Sequence, residues 1–291
     1  MMRFNITIFL FISSVFAQPV FEQIEIKSIT KLNIPYAGKI TLSSTINAAD
    51  GLYREEVQSE YDRFYVRMMA GGNKTAGKLI DQSKELLIMY DMSDKEFASE
   101  EFEVIRNNSG KPTLKDVTNM SPGGGGNRNQ NNNNEDGDDD NDSNEEESSS
   151  DEKPTIERTV SSAYEMVNGF KCKKITTRIS RDGGYMQMQE WITPDTSFFI
   201  FVNNIEKNVV ESYDGSYSKT PSSNDWVSRI DPDRNFEIIS GEVVKNTMEM
   251  LDEEGETSFS MDMEILSVKS VPYDSLKFTL PEEFKLVDQL D

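Results

Sequence analysis

Residues 169–195 read GFKCKKITTRISRDGGYMQMQEWITPD. In the first arm Lys171, Lys173 and Thr176 interleave with Cys172 and Ile175, and the arm runs to Ile179. Arg181-Asp182-Gly183-Gly184 then turns the chain, because Asp-Gly and Gly-Gly supply the positive φ angles of tight hairpin turns. The return arm sets Tyr185, Gln187 and Gln189 on one face and Met186, Met188 and Glu190 on the other, before Trp191 and Ile192. Pro194 cannot donate to a ladder, so the strand ends there. The stretch predicts a β-hairpin, and the text on both sides of it has the same character.

On the C-terminal side, Gly241 to Leu251 carries Met248 and Met250, Asp252 to Gly255 is a turn, and Phe259, Met261, Met263 and Ile265 alternate on the return. That is a second, longer hairpin. Leu276, Phe278 and Leu280 precede Pro281, and Phe284 and Leu286 close the chain. On the N-terminal side, Phe21 to Ile29 and then Ile40, Leu42 and Ile46 alternate as strands do. Leu52 to Tyr61 places Tyr53, Glu55, Val57, Ser59 and Tyr61 on one face and Arg54, Glu56, Gln58 and Glu60 on the other, which predicts one wet side. Phe64 to Met69 (FYVRMM) reads as a further strand. Lys78 to Asp81 and Glu85 to Met92 read as a strand pair around Gln82-Ser83-Lys84, with a helix over Leu79 to Met92 as the rival. Thr155 to Tyr164 reads as a strand too. After Pro194 the period changes. Phe198, Val202, Ile205 and Val209 recur at helical spacing, which predicts a helix over Ser197 to Val210 with Asp195 as its cap.

The chain of 291 residues is 36% hydrophobic, enough for one medium domain with a core. Residues 1–17 have the form of a secretory signal. Arg3 is the basic start, Ile6 to Val15 the apolar run, and Val15-Phe16-Ala17 the cleavage site. The run is shorter than the roughly 20 residues that span a bilayer, so an exported protein is expected, in the periplasm or outside the cell, and not an integral membrane protein. Residues 121–153 contain 11 acids, 2 bases and almost no apolar side chain. Such a stretch cannot offset the entropy of ordering itself. It reads as a disordered insertion between 18–120 and 154–291, the two parts of one β domain, with a linker between two domains as the alternative.

Net charge is −22, from 52 acids against 30 bases. Nucleic acid is therefore not an expected partner, and the same charge disfavours a free anionic membrane surface. Cys172 is the only cysteine, so no internal disulfide forms, and the chain has no histidine. That removes Cys-His and Ser-His pairs and the commonest zinc ligand. Cys172 is read as a half-buried strand residue. No pattern in the chain asks for a cofactor. A carboxylate pair for hydrolysis cannot be singled out among so many acids, and no enzyme is expected.

The segments GFKCKKITTRI, MQEWITPD, GEVVKNTMEM with SFSMDMEILSV, and Phe278-x-Leu280-Pro281-x-x-Phe284 together resemble bacterial secreted domains of unknown function similar to the LolA/LolB periplasmic lipoprotein carriers. The resemblance spans roughly Gly38 to Val287 without the insert. It implies a mainly β fold with minor α: a curved, incompletely closed antiparallel sheet, a half-barrel, packed on one or two helices. It also implies a concave face that holds acyl chains.

Two candidate sites follow. Met186, Met188, Trp191, Phe198, Phe201, Met248, Met250, Met261 and Met263 are candidate apolar ligand contacts, because thioethers adapt to varied partners. The plain alternative is that they are core beneath the helix. Asp136, Asp138, Asp140, Asp142, Asn144 and Glu147 fall at the ligand positions of an EF-hand-like loop. Asn141 stands where that loop needs glycine and no helices flank it, so weak Ca²⁺ binding stands behind the reading as a solvated charge run. The expected function is non-catalytic binding of a lipid, lipoprotein or other apolar ligand. The alternative is an interaction protein whose acidic insert binds cations or a partner.

Overall fold

The computed structural model describes residues 21–118, 154–181, 183–218, 223–230 and 236–290. The leader, the acidic stretch and its Asp136, Asp138, Asp140, Asp142 and Glu147 lie outside the described residues. Twelve strands form one open sheet: β1 Gln23–Ile34, β2 Gly38–Ala49, β3 Leu52–Tyr61, β4 Thr75–Asp81, β5 Leu86–Asp91, β6 Glu96–Glu101, β7 Thr155–Val167, β8 Phe170–Arg181, β9 Gly184–Thr193, β10 Glu242–Asp252, β11 Thr257–Val271 and β12 Lys285–Leu286. Their spatial order is β12-β6-β5-β4-β3-β2-β1-β11-β10-β9-β8-β7. All pairs are antiparallel except β12 on β6. The two halves of the chain meet where β11 pairs with β1, from Gln23 opposite Val271 to Asn33 opposite Ser260. The helices are α1 Phe64–Met69, α2 Phe102–Asn107, α3 Ser197–Glu211 and α4 Ser223–Ile230.

Period-two alternation decides which side chains meet α3. Ile24, Ile26, Ala48, Tyr53, Ile80, Leu87 and Met89 of β1 to β5 point to one face. There they share a core with Val202, Ile205 and Val209 of α3 and with Phe102 and Ile105 of α2. Full burial of an aliphatic or aromatic side chain of this size stabilises by about 1.5–3 kcal/mol. Ala49, Leu79 and Tyr90 point to the other face and pack under Phe278, with Leu280 and Phe284 alongside. The strand text of β5, Leu-Leu-Ile-Met-Tyr, is nearly unbroken in apolar residues because both its faces are covered.

Three expectations are corrected. Residues 64–69 are helical, although aromatic and β-branched residues favour strand. β2 begins at Gly38 and β4 at Thr75, so a strand continuing beyond Tyr61 would run past the ends of both neighbours and find no partner. The segment closes its own bonds instead, Arg67 N to Arg63 O at 3.0 Å and Ala70 N to Val66 O at 2.9 Å. The polar face of β3 is not wholly wet, because residues 275–284 cross it. Arg54 is 7% exposed, and its Nη1 donates to Lys277 O at 2.8 Å. Asp195 does not cap α3. The cap position is Thr196, with no side-chain cap bond, and Asp195 accepts from the Ser197 hydroxyl at 3.2 Å. The strand pair over 78–92 forms as β4 and β5, and its helical rival does not.

Candidate functional site

A tight turn joins β7 to β8 at Asn168-Gly169, with φ of 47° and 89°. Asn-Gly is the dipeptide that such turns favour. Asn168 Nδ2 donates to Ile265 O at 2.8 Å and to Glu264 Oε1 at 3.0 Å, so the turn is tied across to β11. Between this turn, the end of β9, the start of α3 and residues 266–268 of β11 lies a cleft of about 590 Å³. Phe170, Phe198, Leu266 and Val268 supply its apolar lining, and Asn168, Lys171 and Asp195 its polar groups. Its size falls in the range of ligand clefts, roughly 300–1,000 Å³. Tilted and edge-on ring contacts, measured between ring centroids, hold its helical wall. Phe198 lies 4.9 Å from Phe21, Phe21 lies 5.5 Å from Phe201, and Phe170 lies 5.7 Å from Phe199.

Of the apolar candidates named from the sequence, Phe198 lines this cleft and Phe201 stands behind it. The methionines lie further along the strands. Met188, Met248 and Met261 stand opposite one another on β9, β10 and β11, and Met261 stands opposite Leu32 of β1. Met186, Met250 and Phe259 form the next row. Leu32 is an even number of residues from Ile24 on β1, whereas Met188 and its partner Thr177 are an odd number from Trp191 and Phe170, so on β8 and β9 the rows lie on the face opposite to Phe170. Met188 is buried and Met250 is exposed, while Met263 packs against the core. Trp191 is not free to line a cavity. Its Nε1 donates to Glu165 at 2.8 Å, and the ammonium groups of Lys174 and Lys245 sit 4.8 and 5.2 Å from its ring.

A polar cluster that the sequence reading passed over lies between the sheet and α3. Lys78 Nζ is 3.5 Å from Glu55 Oε2 and 3.5 Å from Asp116 Oδ2. Asp116 Oδ1 also accepts from the amide and hydroxyl of Thr118 at 2.9 and 2.6 Å. Tyr53, 2% exposed, lies close to Glu206 of α3. Burial pulls the Lys78 ammonium down, but Glu55, Asp116 and Glu206 outweigh it and hold the group above its ordinary value. Burial pushes the Asp116 carboxyl up, but Lys78 and Thr118 outweigh it and hold it low. Burial, with Glu55 and Asp116 nearby, raises the Glu206 carboxyl against the pull of Lys78 and Tyr53. Burial, then Glu55 and Glu206, push the Tyr53 phenol well up. A signal for this cluster was present in the sequence. Glu55 and Lys78 both fall on the face that alternation turns inward, where a charge needs a partner.

The cluster is a strut between helix and sheet. Lys78 and Tyr53 are both held protonated. Among the described residues no three His, Cys, Asp or Glu side chains are grouped to hold a metal ion. Cys172 is fully buried, and burial followed by the Glu165 charge pushes its thiol to about 11, so the reactive thiolate is scarce.

The strut implies a pH dependence. A carboxyl whose folded pKa is raised contributes stability that is full below its unfolded value, about 4.3 for Glu. That contribution is lost as pH rises through the folded value. Glu206→Gln removes the ionisation and keeps the hydrogen-bonding shape. Denaturant melts across pH 4 to 8 should show the variant with a flatter profile and a higher relative stability at the alkaline end. Parallel profiles for the two proteins would contradict the assignment.

No family model matches the chain, and no curated protein does. Among solved structures the chain is similar to a LolA superfamily protein from Nitrosomonas europaea, at 8% identity and a TM-score of 0.25, over 89% of this chain and 90% of that one. Likeness at that level bears on neither ligand nor site.

Proposed function

We propose that the protein is an exported, non-catalytic binder of an apolar ligand, a lipid or the acyl chain of a lipoprotein. Residues 1–17 serve as its export signal, and 121–153 as an insertion within one β domain. The observation that carries this reading is the cleft beside the start of α3. It combines four apolar side chains, Phe170, Phe198, Leu266 and Val268, with the polar residues Asn168, Lys171 and Asp195. That arrangement suits a hydrocarbon chain, which the apolar wall takes, with a polar head group left at the polar side.

A fluorescent fatty-acid probe tests it. The purified protein should bind the probe saturably, and Phe198→Ser should weaken binding by about 10- to 100-fold, the loss expected when a buried aromatic contact is removed. Undiminished binding by Phe198→Ser, with circular dichroism unchanged, would remove the cleft as the site.

A further inference from the structure

We propose that the end of the sheet built from the β1–β2 turn and α1 docks on an anionic lipid surface. Five large apolar side chains stand free there: Tyr36 at 88% exposure, Phe64 at 68%, Tyr65 at 45%, Met68 at 66% and Met69 at 83%. They come from two separate segments that Asp62 and Arg63 tie together. Arg63 Nη1 donates to Tyr36 O at 2.8 Å and to the Tyr65 hydroxyl at 3.2 Å. Tyr36 itself is held at φ 65°, an uncommon conformation for a non-glycine residue that keeps the turn tight. No residue of α1 is buried, so the helix contributes nothing to the core.

Charge selects the partner. Segments 35–39 and 62–72 contain three bases, Lys39, Arg63 and Arg67, and one acid, Asp62. The Asp62 carboxylate is engaged by the Lys39 amide at 2.9 Å, and the Arg67 guanidinium lies 5.7 Å over the Phe64 ring. The chain as a whole carries −22, which by itself opposes an anionic surface. The local balance is reversed at this tip. An anionic bilayer repels the acidic body and attracts the tip, which fixes the orientation of approach. Tyrosine, phenylalanine and methionine beside arginine suit the headgroup boundary, where rings sit among the headgroups and cations meet phosphates. The tip lies at the opposite end of the strands from the cleft. Along β1 the cleft faces residues 26–27 and the tip follows Ile34, a separation of about 25 Å at 3.4 Å per residue. The inference therefore stands independently of the apolar ligand.

The test is co-sedimentation of the purified protein with vesicles of phosphatidylcholine alone and of phosphatidylcholine with 30% phosphatidylglycerol. Binding is expected to the second only. Arg63→Glu with Arg67→Glu should weaken it about 25-fold or more, at about fivefold for each charge lost, and Phe64→Ser with Met69→Ser by about 100-fold or more. Every variant carries the same residues 1–20, so any contribution from that apolar run cancels. Circular dichroism confirms that each variant folds. Absent binding to the anionic vesicles, or binding that both variants retain, overturns the proposal. A protein that ignores vesicles but forms a dimer lost in Phe64→Ser with Met69→Ser overturns it in favour of a second copy at the tip.

Discussion

Lys78→Ala is expected to lower the unfolding free energy by about 3 kcal/mol, the lower part of the range for orphaning one side of a buried ion pair. The side chains of Lys78 and Glu55 are 16% and 22% exposed, while that of Asp116 is 42% exposed, so water repays part of the loss at Asp116. The substitution leaves three carboxylates, Glu55, Asp116 and Glu206, around a space that no longer holds a cation. Two further results separate this cause from simple loss of packing. Lys78→Met with Glu55→Met should recover part of the loss, because removing both partners costs less than removing one. The gap between Lys78→Ala and the unaltered protein should also close in acid. Lys78 holds the Asp116 carboxyl low, so that contribution is full above about pH 3.9 and disappears as pH falls through the folded value. A loss under about 1 kcal/mol at neutral pH, or a gap that persists in acid, would show that the strut does not hold the helix.

Gly77→Ala should cost about 3 kcal/mol, at the upper end for overpacking. A Cβ at this position in β4 would fall inside the van der Waals shell of the Tyr90 ring. Tyr90 has little room to yield. It is fully buried, its hydroxyl accepts from Arg54 Nε at 2.8 Å, and its ring meets Phe284 edge-on at 6.3 Å. Moving it disturbs the node at which Arg54 also binds Lys277 O and pairs with Glu56 at 3.0 Å. The C-terminal segment should therefore loosen first, visible as faster amide exchange across residues 275–286. Tyr90→Leu makes space for the methyl group, so the double variant should be less destabilised than the sum of the two single ones. Additive losses would place the strain elsewhere.

Much of the fold could be read from period and punctuation. Alternation in 185–192 and 259–265 placed β9 and β11, and spacings of three and four among Phe198, Val202, Ile205 and Val209 placed α3. The errors came where tertiary context overruled local preference. The text of α1 favours strand, but it lies past the ends of β2 and β4 and has no strand to pair with. Arg54 lies on a face whose sequence is polar, and only the returning tail, more than 200 residues later, buries it. The cleft was legible in one residue, Phe198. Its other walls come from the Asn168-Gly169 turn and from Leu266 to Val268. Leu266 stands beside a register shift between β1 and β11, and such a shift turns a side chain out of the simple alternation. The methionines fall on strands at alternate positions and form rows across β9, β10 and β11. Their distance from the cleft depends on where α3 crosses the sheet, which spacing alone does not fix.

The most direct test of the binding claim is native mass spectrometry of the protein purified gently from its own source. The account predicts a bound species of lipid mass that is lost on organic extraction and absent from Phe198→Ser. A bare protein mass for the unaltered chain, unchanged when fatty acid is added, would contradict it.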